Sequence, residues 1–122
     1  MRTSTGEANA EESQWIEACK VGVCVACFVW EQSEDAPDDF LPIYGCDYHH
    51  TKSGNIRRGH LLGFGLCTWH HRGHPPEGHT SRSARIWFGP GLMDGSKRFN
   101  GAYGSDDDLI EVQHTILHGT WR

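Results

Sequence analysis

Residues 66–74 read LCTWHHRGH, one cysteine and three histidines in nine positions, and CDYHHTK at 46–52 repeats the doubled histidine. Seven of the nine histidines fall between His49 and His79. Cys67 and His70 form a CxxH pair, and Cys24 and Cys27 form a CxxC pair upstream. Two such knuckles, one in a loop and one at the start of a helix, supply the three sulfurs and one nitrogen of a tetrahedral structural Zn2+ site. The spacing is too long for a C2H2 finger and suits a treble-clef arrangement with a hairpin between the knuckles. Buried free cysteines are the alternative. Cys46 is a spare thiol that could replace one ligand, and Cys19 reads as a packing residue in a helix.

His71 is expected to serve something else. Neighbouring helical side chains diverge by roughly 100°, so if His70 points at the zinc, His71 points away from it. Its natural partners are His49 and His50, which end a strand of the hairpin. Adjacent strand residues face opposite ways, so both imidazoles converge only if that strand ends or bulges at HHTKSG. A divalent metal held there by few protein ligands, with an unligated imidazole beside it, is the equipment of phosphodiester hydrolysis. His79 is a further candidate ligand. His60 in RRGH is either a site residue or part of a basic turn, and His74, beside two prolines, reads as solvated. His114 and His118 lie one helical turn apart and read as solvent-facing.

Working outward, Asn9 followed by Glu12 predicts a capped helix at about 10–20, with Gly22 as its stop. VCVACFVW, at 23–30, reads as strand or zinc knuckle, and EQSEDAPDDF, at 31–40, as an acidic loop. Leu41 to Tyr48 reads as a strand ending at the double histidine, HLLGFGL as the strand that pairs with it, and Cys67 as the start of a short helix stopped by Gly73. ARIWFGPG is apolar enough to pack. Phe99 and Tyr103 sit at i, i+4 of a further helix, and Ser105 with Asp108 caps a last one whose Leu109, Ile110, Val112, Ile116 and Leu117 face inward. The expected fold class is α+β. Residues 1–8 read as a flexible terminus and 9–122 as one domain.

Only 37% of the 122 residues are hydrophobic and 15 are glycine, a thin supply of core for which a structural metal compensates. No apolar run approaches the roughly 20 residues of a membrane span, no secretory pattern opens the chain, and five cysteines with a CxxC pair favour metal ligation in a reducing compartment, so a cytoplasmic setting is expected. The net charge of −5 hides a division. Residues 1–44 carry two basic and nine acidic side chains, 45–100 carry eight and three, and 101–122 carry one and four. The histidine-rich middle is therefore +5, the footprint expected around a phosphate backbone, with Lys52, Arg57, Arg58 and Arg72 as its candidate DNA contacts. An ordinary solvated turn is the alternative for that basic run.

The succession CxxC, CDYHH, SGNIRRGH, GLCTWHHRG and GPGLMDGSKRFNGAYGSDDDLI resembles the recombination-enhancement (Ref) nucleases of phages and prophages, a RecA-dependent branch of the HNH, or ββα-metal, endonucleases. The likeness runs from about Trp15 to Leu117. It implies a ββα-metal core flanked by an N-terminal helix and C-terminal helices, cleavage of DNA in a bacterial host cell, and a RecA-type filament as partner. By position it implies His50 as general base, His49 and His71 as ligands of a catalytic Mg2+, Zn2+ or other divalent metal, and His60 at the middle letter of the HNH motif, where asparagine is common. Cys24, Cys27, Cys67 and His70 match its zinc knuckles. Two other functions compete: a non-catalytic zinc module docking on nucleic acid or protein, and a histidine-rich metal store.

Overall fold

The computed structural model describes residues 7–53 and 56–118. Six helices and two small antiparallel sheets make up the described α+β fold. Helix α1, Ala10–Val21, begins with the expected reciprocal cap: Glu12 N–H donates to Asn9 Oδ1 at 2.8 Å and Asn9 N–H to Glu12 Oε1 at 2.9 Å. Its Cys19 is fully buried, as a packing residue should be.

Of the two readings of VCVACFVW, strand or zinc knuckle, the strand does not form: helix α2, Val25–Glu31, takes its place with Cys24 as its N-cap. The valines favour a strand, but Cys24 Sγ accepts the Cys27 N–H at 3.4 Å and so starts a helical turn, which returns Cys27 to the side of Cys24. The capping sulfur overrides propensity here. Residues 41–46 likewise do not join the strand that follows. Their backbone is spent elsewhere, Cys24 N–H on Ile43 O, Gly45 N–H on Gly22 O and Cys46 N–H on Lys20 O, so this segment ties the first knuckle to the end of α1.

Strand β1, Asp47–His50, therefore starts late and contains both histidines. Two short paired antiparallel strands follow, β2 at Lys52–Ser53 and β3 at Ile56–Arg57, and then β4, Gly63–Leu66, returns against β1. The register is regular, Asp47 opposite Leu66 through His50 opposite Gly63, with no bulge. The glycines of β4 let backbones close: a Cβ on Gly65 would meet Cys19 O at 2.6 Å, and one on Gly63 would meet the Tyr48 ring at 2.7 Å.

Helix α3, Thr68–Arg72, follows β4 directly and completes a strand–strand–helix unit. Gly73, at φ +78°, ends it, with Gly73 N–H on Trp69 O and His74 N–H on Thr68 O satisfying the last carbonyls. Helix α4, Ser81–Phe88, then leads to a 3-10 turn at Leu92–Asp94, α5 at Ser96–Tyr103 and α6 at Asp106–His118. Ser105 and Asp108 make the expected cap of α6, and Leu109 and Ile110 are buried. The core gathers Trp69, Phe64, Leu66, Phe99 and Leu109 around α3 and β4. Among the described residues no helix is long and apolar enough to cross a membrane.

Candidate metal centre and adjoining cleft

Cys24, Cys27, Cys67 and His70 converge, all buried, with their ligand atoms within 4.8 Å of one another. Cys24 is the N-cap of α2 and Cys67 the N-cap of α3, so two helix starts deliver the sulfurs while His70 comes from the first turn of α3. The Nδ1 of His70 lies 3.3 Å from Cys67 Sγ, 3.4 Å from Cys24 Sγ and 3.7 Å from Cys27 Sγ. A tetrahedral zinc with Zn–S near ~2.3 Å and Zn–N near ~2.0 Å places sulfur and nitrogen about 3.5 Å apart, so the four donors already sit at the edges such an ion requires. The other ring nitrogen of His70 faces Phe88 O at 2.8 Å and the Tyr103 hydroxyl at 3.0 Å. A proton on Nε2 satisfies that carbonyl and leaves the Nδ1 lone pair for a metal, the outer contact expected of a ligating histidine. This Cys3His group could hold a metal ion such as zinc.

The charges of the cluster point the same way. Burial raises the Cys24 thiol, yet hydrogen bonds from Cys27, Cys46 and Cys67 bring it well below the ordinary range. Burial disfavours the His70 imidazolium, but the Cys24 thiolate raises it to about 10. A thiolate beside an imidazolium in a fully buried site is costly unless compensated, and a divalent cation removes the need for that proton.

His71 leaves α3 on the other side. Its Nδ1 lies 3.0 Å from Asp47 Oδ2, and its ring centroid lies 5.5 Å from that of His49. Tyr48, His49, His50, Lys52, Arg57 and His71 line an open depression of about 280 Å³. The strand ends at His50, which brings both doubled histidines to this cleft without a bulge, although their rings diverge: His49 packs on Phe64 at 5.3 Å, and His50 turns to His60, Nε2 to Nδ1 at 3.1 Å. Burial, followed by the nearby His71, pushes His49 down to about 4. Burial, Arg57 and His60 also lower His50. The cleft thus sets His49 and His50, both held toward the neutral form, and the Asp47-paired His71 between two cations, an arrangement that can ligate a cation, accept a proton and receive an anion.

Over residues 8–118 the sequence matches the family described as recombination enhancement, RecA-dependent nuclease. The chain belongs to this family. A comparison with the curated proteins finds no match. Family membership covers nearly all of the sequence, including both knuckles and the cleft.

The remaining candidates of this family member divide. Lys52 and Arg57 face the cleft, but Arg72 pairs with Asp47 at 2.8 Å and Arg58 with Asp107 at 2.9 Å, so two of the four expected DNA contacts are already neutralised by carboxylates. His79 lies with neither group; it bonds Ser83 Oγ at 3.0 Å and packs against Phe88. His60 is buried rather than part of an exposed basic turn, and Cys46, close to Cys24, bonds Gly22 O and stands outside the four converging donors. His74 is exposed.

Sequence reasoning missed Asp47. Burial raises its carboxyl, but the His71 hydrogen bond and the Arg72 charge outweigh that and hold it low. Only its place in CDYHH, on the same face of the strand as His49, could have pointed to it. It missed Tyr103 as well, whose hydroxyl contacts His70 and reaches Pro90 O at 2.7 Å. Gly89, at φ +82°, runs beneath that hydroxyl where any Cβ would clash with it.

Proposed function

We propose that the chain is a metal-dependent DNA endonuclease of HNH type that acts in homologous recombination together with a RecA-type filament, in the cytoplasm of a bacterium carrying a phage or prophage. The observation that carries this reading is the split at His70 and His71: one imidazole enters a closed Cys3His cluster, and its neighbour enters an open cleft with His49, His50 and two cations.

His49 and His71 would hold the catalytic metal. The donor set fits: two imidazoles face one depression, and Asp47 accepts the His71 Nδ1 proton, which leaves Nε2 as the free donor. Two nitrogen donors suit zinc or another transition ion better than Mg2+, which prefers oxygen. When bound, the cation would stabilise charge on the phosphoryl and leaving oxygens.

The other steps belong to the chain itself. His50 is a neutral imidazole not needed for ligation, so it can take the proton of the attacking water. His60 holds one nitrogen of His50 and so fixes its ring. Lys52 and Arg57 meet the phosphates on either side.

Cleavage of single- and double-stranded DNA, with and without RecA filament and with each divalent cation in turn, tests the reading. Both His50→Ala and His71→Ala should cut at least about 100-fold more slowly than wild type while retaining the zinc. Full cleavage by either variant would remove the assignment. A protein that binds one zinc and cleaves under no condition would be a docking module instead.

A further inference from the structure

The His60 loop is held at several points. Thr51, fully buried, takes Leu62 O with both its N–H, at 3.1 Å, and its hydroxyl, at 2.6 Å, while Thr51 O accepts the Arg58 N–H at 3.0 Å. Gly59, at φ +138°, turns the chain between them. A further hold comes from outside the loop: the Tyr48 hydroxyl donates to His60 O at 2.5 Å. That hydroxyl accepts the indole N–H of Trp15, on α1, at 3.0 Å. Both sides of the Tyr48 oxygen are thereby committed, which fixes its torsion on one carbonyl. Trp15 is itself stacked on His114 of α6 with centroids 4.5 Å apart.

Tyr48 and His50 are two residues apart on β1 and share a face, and their rings meet edge to face at 5.0 Å. A continuous strut therefore runs from α6 and α1 through Trp15, Tyr48 and His60 to the imidazole of His50. Gly63, opposite His50, leaves the space the Tyr48 ring occupies.

We propose that Trp15 and Tyr48 are positioning residues of the nuclease site: a strut anchored on the terminal helices that sets the His60 loop and, through it, the direction in which His50 presents its free nitrogen. This rests on His50 being the base. A tyrosine kept only to fill the sheet would pack as well without its hydroxyl.

The test is Tyr48→Phe, which keeps the ring and deletes the oxygen, and Trp15→Phe, which deletes the donor without touching the loop. In Tyr48→Phe, kcat for DNA cleavage should fall about ten-fold with KM and zinc content unchanged, and Trp15→Phe should fall less, in the same direction. In nitrogen-detected NMR the imidazole signals of His50 and His60 should move while those of His70 stay. Unchanged kcat, or unmoved His50 and His60 signals in a variant that has merely lost thermal stability, would overturn the strut. The imidazole signals do not depend on catalysis, so a wild type that cleaves nothing removes the nuclease reading and leaves the strut to be judged by NMR.

Discussion

His70 and His71 are neighbours on one short helix, yet they inhabit opposite environments. His70 is fully buried, ringed by three sulfurs and braced from behind by a carbonyl and a hydroxyl. His71 is partly exposed, braced by a carboxylate, and faces a cleft that it shares with His49, the two ring centroids 5.5 Å apart. Among the described residues the buried group is the one place where three or more metal donors converge. A closed donor set holds a fold together, and an open one leaves room for water and substrate. One helical step of roughly 100° separates the two environments.

That contrast can be broken from its closed side first. Removing the ion with a strong chelator, or one ligand with Cys67→Ser, should forfeit folding free energy on the order of 10 kcal/mol, more than a small domain has in reserve. Circular dichroism should show loss of structure, and a chain that stays folded and fully resistant to heat without metal would refute a structural role for the cluster.

The open side predicts a different signature. Asp47→Asn keeps the shape but weakens the acceptor that fixes the His71 ring, so affinity for the second metal and the rate of cleavage should drop about 10- to 100-fold while melting temperature and zinc content hold. Metal titration followed by nicking measures both. A variant that loses zinc in parallel would mean that the two sides are not separate.

The smallest effect concerns the cover behind α3. Asp94 accepts the Gly91 N–H at 3.0 Å and the Arg85 guanidinium at 2.8 Å, and Arg85 lies over the Trp69 ring. Burial raises this carboxyl, but those donors outweigh it, so its pKa is lower folded than unfolded. Its contribution is therefore present above the unfolded pKa and lost as pH falls through the folded one. Asp94→Asn should cost about 1 kcal/mol at neutral pH, and the gap to wild type should close in acid. Denaturant titrations at several pH values would register this, and a gap independent of pH would assign the loss to packing.

The sequence was most legible where chemistry and spacing are local. CxxC and CxxH name the four donors that converge, Asn9 with Glu12 and Ser105 with Asp108 mark their helix starts, and Gly73 marks an end. It was least legible where distant partners decide. VACFVW has strand-forming residues but folds as a helix because Cys24 and Cys27 must face one centre, and residues 41–46 spend their hydrogen bonds on the first knuckle instead of on β4. Asp47 acquires its role from histidine and arginine side chains at positions 71 and 72, and Arg58 is claimed by Asp107 from α6. Gln113 of α6 is buried and accepts the Gly65 N–H at 2.7 Å. No periodicity encodes such pairings.

The most direct test is X-ray absorption at the zinc edge of protein holding one equivalent of zinc. The account predicts three sulfurs at about 2.3 Å and one nitrogen at about 2.0 Å, in a spectrum unchanged by His71→Ala. A shell with two imidazole nitrogens, one of them lost in that variant, would place both histidines on a common ion and contradict it.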